Sequence, residues 1–273
     1  MAPYMGFLWG GVAGASLYAL STYAPSALLP YWATASLRRK VRAMSADERC
    51  LYFSYFASTA HACFQVAGSA HVALASPFHL AAPVAHFDTR MFVPHGVTGF
   101  GPVFYMGVFV GYLISDHVWL GRIDSALMAA HHLGASAAWT AATWLGSLQW
   151  YASFLQLNEL STVFVNIRQL LFKSGYDAES IAVKASSLGV FVAFGVVRIV
   201  PLPRIVWQWA TRDFAVMLEK DGAAAAWCFS GFFAFHVCMQ TYWFGLMLKK
   251  FTNTLLGRDR SNKKGRETGD HSD

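Results

Sequence analysis

The chain has 273 residues, of which 55% are hydrophobic and 13% charged, and 21 Lys and Arg against 15 Asp and Glu give a net charge of +6. A soluble domain carries roughly 25% charged residues. Here the apolar residues fall in long runs between short charged clusters, which excludes a soluble globular fold. Backbone groups in lipid must be satisfied internally, so spans are helices or closed barrels. Runs of about twenty residues without strict alternation exclude the barrel. The expected fold class is all-α, a polytopic transmembrane bundle.

In chain order, apolar runs predict about seven spans, at 5–29, 51–75, 99–120, 125–146, 149–172, 181–200 and 223–248. The first lacks a positive region before it, and its first charges, Arg38, Arg39, Lys40 and Arg42, follow it. It therefore reads as a span, with Ala33-Thr34-Ala35 the one cleavage-like site of a signal-peptide alternative. Prolines and histidines mark 76–97 as a loop or re-entrant stretch. Segment 201–222, with Pro201, Pro203, Arg204, Arg212 and Lys220, reads as lying near one interface. The last residues, from about 257, are polar and basic and are expected to be a disordered tail. The basic clusters place the N-terminus outside and the C-terminus in the cytoplasm, and they suit anionic lipid headgroups. No aromatic and basic interleaving points to nucleic acid. Cys50, Cys63, Cys228 and Cys238 lie in or beside apolar runs without CxxC spacing and read as apolar thiols.

Ionisable groups inside apolar spans are costly, which makes them functional candidates. Span four carries His131 and His132. In span five, Glu159, Thr162, Asn166 and Gln169 are three, four and three apart and share a helix face. Ser54, Ser58, His61 and Gln65 form a similar stripe on span two, His236 and Gln240 stand one turn apart on span seven, and Asp116 ends span three. Spans four and five are joined by a short turn near Gly146-Ser147, and at about 1.5 Å per residue this brings His132 level with Thr162. His61, Asp116, His131, His132 and Glu159 are thus expected around one internal cavity, together with Gln65, Ser161, Thr162, Asn166 and His236. The bland alternative is that these groups are interhelical glue. No HxxH or HxxxH spacing supports a metal, and no GxSxG, P-loop or dinucleotide fingerprint is present, so neither a metal nor a cofactor is expected.

Ser58-Thr59-Ala60-His61-Ala62, Gly111-Tyr112-Leu113-Ile114-Ser115-Asp116, His131-His132 and the run Glu159 to Arg168 (ELSTVFVNIR) occur in an order that resembles TLC-domain proteins. The likeness is to the small TLC-domain-containing branch and, more distantly, to ceramide synthases. It covers a TLC-like six-helix membrane domain at 45–250, leaving a first span and basic connector at 1–44 and a disordered basic cytoplasmic tail at 251–273. It also implies a lipid-related role in the endoplasmic reticulum, or in another organelle membrane such as the mitochondrial one. Ceramide synthases join an acyl-CoA to a sphingoid amine using paired histidines, which here are His131 and His132. Where they resemble HDSSD, this chain has Asn158-Glu159-Leu160-Ser161-Thr162, so one acid remains as Glu159 and Thr162 replaces the other.

Two functions stay open. In the first, the protein is an acyltransferase using acyl-CoA or a lipid acyl donor, with His131 or His132 as base or nucleophile and Glu159 or Asp116 orienting the imidazole. In the second, it is a non-catalytic lipid-binding, trafficking or structural subunit with membrane lipids, and membrane proteins, as partners.

Overall fold

A computed structural model describes residues 2–75, 101–123, 125–146 and 148–255. The expected loop at 76–97 and the tail from 257 lie outside them. The described residues form helices and their connections: α1 (Ala2–Ala27), α2 (Leu29–Trp32), α3 (Ala35–Ala43), α4 (Ala46–Ala75), α5 (Pro102–Leu120), α6 (Ala126–Leu145), α7 (Gln149–Leu155), α8 (Glu159–Lys173), α9 (Ile181–Phe194), α10 (Leu202–Gln208), α11 (Phe214–Asp221) and α12 (Ala223–Leu255). The fold is all-α.

Local chemistry sets several helix starts. Ser45 and Glu48 form a reciprocal capping box before α4: the Glu48 N–H donates to Ser45 Oγ at 3.2 Å, and the Ser45 N–H donates to Glu48 Oε2 at 2.9 Å. Thr34, Ser125 and Ser180 cap α3, α6 and α9 through their hydroxyl oxygens. Helix α6 ends at Gly146 in the left-handed conformation.

Packing arranges the long helices as a ring: α5 against α4, α4 against α8, α8 against α9, the rod that continues α9 against α12, α12 against α6, and α6 back against α5. Helix α1 stands outside the ring, wedged on α4 and α5. Its contact with α5 is a glycine seam. A Cβ on Gly10 or Gly14 would overlap the carbonyl oxygen of Phe104 or Val108, and one on Gly107 or Gly111 would overlap that of Phe7 or Gly11. Small residues four apart on both helices let the backbones touch, which is how helices associate where lipid offers no hydrophobic drive.

The chain departs from the expected spans in two places. Span five is not one helix: a 3-10 turn at Gln156–Asn158 divides α7 from α8. Helix α8 packs on α4 and α9 rather than on α6, so the expected side-by-side pairing of spans four and five is confined to α7. Segment 201–222 is also helical. It continues α9 as one run, Ile181–Asp221, through π turns at Gly195–Ile199 and Trp209–Asp213. Pro201 stands at the start of α10 and Pro203 lies in its first turn, where a missing N–H costs least.

Three helical runs among the described residues are long and apolar enough to cross a membrane by themselves: Pro102–Leu120, Ile181–Asp221 and Ala223–Asn253. Helices stand at the other expected spans too, but glycines in α1 and polar residues such as His61, Gln65, His131 and His132 in α4 and α6 lower their hydropathy. On the long rod, Leu188, Val192, Val196 and Val200 are exposed and four apart, an apolar stripe facing outward.

Candidate functional site

Inside the ring, α5, α6, α7, the start of α8, the long rod and α12 enclose a cavity of about 950 Å³, its open mouth included. Along α6 it runs from His131 to Ala142, eleven residues or roughly 16 Å of helix. Its chemistry is divided. Leu148, Tyr151, Trp209, Phe229, Phe232 and Phe233 pack together along one part of the lining, and Asn158, Glu159, His131, His236 and Gln240 gather around Arg198 at the other. Leu148 reaches the wall from a left-handed backbone, φ 64°. A branched residue adopts that conformation only under strain.

Arg198 organises the polar end. It is 8% exposed and projects from the first π turn, a feature that often accompanies functional sites. Its Nε donates to Ser161 Oγ at 2.8 Å and to the Asn158 carbonyl at 3.1 Å, and its Nη2 reaches the same carbonyl at 2.9 Å. Nη2 also lies 3.4 Å from Thr162 Oγ1, and Nη1 donates to Gln240 Oε1 at 3.2 Å. The 3-10 turn matters here, because Asn158, its last residue, offers the carbonyl that takes two guanidinium N–H groups. Phe194 lies under the guanidinium, 5.0 Å from centroid to Cζ. Glu159 shares this electrostatic environment, with the Thr162 hydroxyl as its hydrogen-bond partner.

The histidine pair separates. His131 lines the cavity with its ring edge-on to Trp243, centroids 5.4 Å apart. His132 is turned away, its Nδ1 3.4 Å from Asp116 Oδ2, and neither His132 nor Asp116 lines the cavity. His61 is buried elsewhere, stacked on Tyr112 at 3.8 Å, and neither of its ring nitrogens has a partner among the described residues. Gln65 is buried behind it and donates to the Tyr105 carbonyl at 3.3 Å. Ser161 and Thr162 meet the cavity through Arg198, while Asn166 is buried farther along α8 with its Nδ2 unpartnered among the described residues. Of the expected set, the structure therefore brings His131, Glu159 and His236 onto one wall, with Ser161 and Thr162 directly behind. It collects His61, Asp116 and His132 in a separate polar layer between α4, α5 and α6.

Arg198 and the pair Tyr151–Asp213 are absent from the expected set. Tyr151 donates its phenol hydrogen to Asp213 Oδ2, and Asp213 is fully buried on the second π turn. Both charges carried the same signal as Glu159, an ionisable group within or beside an apolar run. Among the described residues no three His, Cys, Asp or Glu side chains cluster as a metal site.

A helical ring in a membrane, with an internal cavity polar at one end, defines a class of protein, and comparison with known proteins supplies the family. The family model described as TLC domain matches residues 48–249, so the chain belongs to the TLC-domain family. It is similar to TLC domain-containing protein 4-A of Xenopus laevis, 28% identical over 166 residues, covering 59% of this chain and 60% of that one. It is also similar to TLC domain-containing protein 4-B of Danio rerio, 29% identical over 180 residues, covering 60% of this chain and 65% of that one. The match thus spans a little under two thirds of these relatives. No solved structure matches the chain.

Proposed function

We propose that this membrane protein binds a lipid or acyl chain in the ring cavity, with the chain along the aromatic length and the head at the Arg198 end. The observation that carries this reading is the division of one cavity wall into an aromatic part and a polar part. Ligand pockets are mostly apolar with a few placed polar groups that fix orientation, and an amphiphile matches both. The reading places the protein in lipid homeostasis, in the endoplasmic reticulum or another organelle membrane such as the mitochondrial one.

A second reading, acyl transfer, draws support from His131 and Glu159 sharing that wall. His131 would take the proton from an acceptor amine or hydroxyl as its oxygen or nitrogen attacks the acyl carbonyl. The thiolate of acyl-CoA, or the alkoxide of a lipid donor, would then leave and take up the proton. The separation of His131 from His132, whose Nδ1 lies 3.4 Å from Asp116 Oδ2, favours binding over this chemistry, because the histidine beside Asp116 is not the one in the cavity.

The test is lipid profiling of cells expressing wild type or His131→Ala plus His132→Ala at equal protein level, alongside lipids co-purified with each. Loss of co-purified lipid with an unchanged cellular profile supports binding, and a changed profile of acyl-chain products supports transfer. A folded double variant unchanged in both overturns the role of this site.

A further inference from the structure

Arg198 holds a permanent positive charge where no negative charge touches it. A guanidinium keeps its proton in proteins, and here it is buried in a low-dielectric wall. Its hydrogen-bond acceptors are all neutral: the Asn158 carbonyl, two hydroxyls and the Gln240 amide oxygen. Among the described residues no carboxylate oxygen lies within 4.0 Å of it. Glu159 acts on it from farther away and is itself engaged by the Thr162 hydroxyl. Of the two N–H groups on Nη1, Gln240 takes one, and the other has no acceptor among the described residues. His236 lines the same end, and its Nε2 is buried without a partner among them.

Burying a charge without a contact counter-ion is costly, and neutral acceptors orient the guanidinium without cancelling it. A ligand can. A cationic amine head would meet the fixed like charge of Arg198, and a hydroxyl head would leave the guanidinium without a counter-ion in contact, Glu159 acting only from farther away. A carboxylate or phosphate head would gain charge-assisted hydrogen bonds, which are the strong ones.

We infer that the cavity selects amphiphiles with an anionic oxygen head, a carboxylate or a phosphate, held by the remaining Nη1–H of Arg198 and by His236, while the chain follows the aromatic wall. This rests on the cavity being a lipid site.

The experiment uses the full chain purified in a neutral detergent and measures binding of four probes that share one chain: oleate, oleoyl lysophosphatidate, oleyl alcohol and oleylamine. Oleate or lysophosphatidate should bind about ten- to a hundred-fold more tightly than the alcohol. The stronger of the two identifies carboxylate or phosphate as the head, and oleylamine should bind no better than the alcohol. Arg198→Gln should bring the anion-to-alcohol ratio close to one, and Arg198→Lys should keep part of it. The head series on wild type decides the matter if the glutamine variant does not fold. Equal affinity of wild type for oleate, lysophosphatidate and oleyl alcohol overturns the inference and leaves the lipid site standing, as does an unchanged preference in folded Arg198→Gln. Failure of all four probes to bind overturns both.

Discussion

His132 Nδ1 lies 3.4 Å from Asp116 Oδ2, while the adjacent His131 faces the cavity against Trp243. Neighbours on a helix point about 100° apart, so one histidine stands between α6 and α5 and the other reaches the cavity. The pair is adjacent in sequence but split in place. We expect His132→Ala to lower stability by about 1 kcal/mol, the scale of polar contacts between membrane helices, and to be non-additive with Asp116→Asn. His131→Ala should reduce lipid retention with little effect on melting. A double-mutant cycle on thermal stability and a co-purified lipid assay check the two halves, and additive His132 and Asp116 effects would refute the coupling.

The Arg198 network predicts a cost for small changes around it. Ser161→Ala removes the acceptor 2.8 Å from Nε and should destabilise by about 1 kcal/mol. Gln169→Ala, on the same helix but without a part in this network, should melt as wild type does. Equal melting of the Ser161 and Gln169 variants would show that the network contributes no stability.

The glycine seam predicts a sharp positional pattern. Gly111→Ala places a methyl against the Gly11 carbonyl, whereas a Cβ at Gly6 meets nothing within 4 Å. The first change should cost about 1–3 kcal/mol through overpacking, and Gly6→Ala should be neutral or slightly stabilising. Expression and melting temperature of the two variants decide it.

The capping box gives a pH dependence. The Ser45 backbone N–H, and then its hydroxyl, hold the Glu48 carboxyl below its ordinary value of 4.5. A carboxyl lowered in the folded state contributes stability that is fully present above the unfolded value and is lost as pH falls through the folded one. The melting advantage of wild type over Glu48→Gln should therefore be constant at pH values above the ordinary value of 4.5 and shrink as the pH falls below it. A pH series of melting curves checks this, and an advantage unchanged into acid would remove the carboxylate from the account.

Three connections that the distribution of basic residues assigns to the cytoplasm meet at one end of the ring. Lys40 Nζ donates to the Ser174 carbonyl at 3.1 Å, and Arg122 pairs with Asp47. Cysteines introduced at Arg122 and Asp177 should therefore be labelled from the same side by an impermeant reagent, the cytoplasmic one. Labelling from opposite sides would overturn this arrangement.

Much of this was legible in the residues. Apolar runs and charged joints mark the helices, and Glu159, His131 and His236 stand out as polar groups in apolar surroundings. Rotation about a helix axis was not legible, which is why His61 and His132 were expected in the cavity and lie beside it. Arg198 carried the same signal as Glu159, but Pro201 and Pro203 close by read as the end of a span. The helix instead continues through two π turns that no 3.6-residue periodicity anticipates. The glycines Gly10, Gly14, Gly107 and Gly111 drew no reading in the sequence, and their four-residue spacings gain meaning only once packing sets them face to face.

The first π turn also settles a conflict of phase. Residues four apart advance about 40° around an ordinary helix with each step, so Leu188, Val192, Val196 and Val200 would wind away from the lipid. Here the Val200 N–H reaches back five residues to the Gly195 carbonyl at 2.9 Å, and this wider loop takes up the accumulated angle. One surplus residue thus lets an apolar ribbon run straight along the outside while Arg198 points within. The rod behaves as a screw whose thread is reset at each π turn, with Arg198 at the first reset and Asp213 at the second.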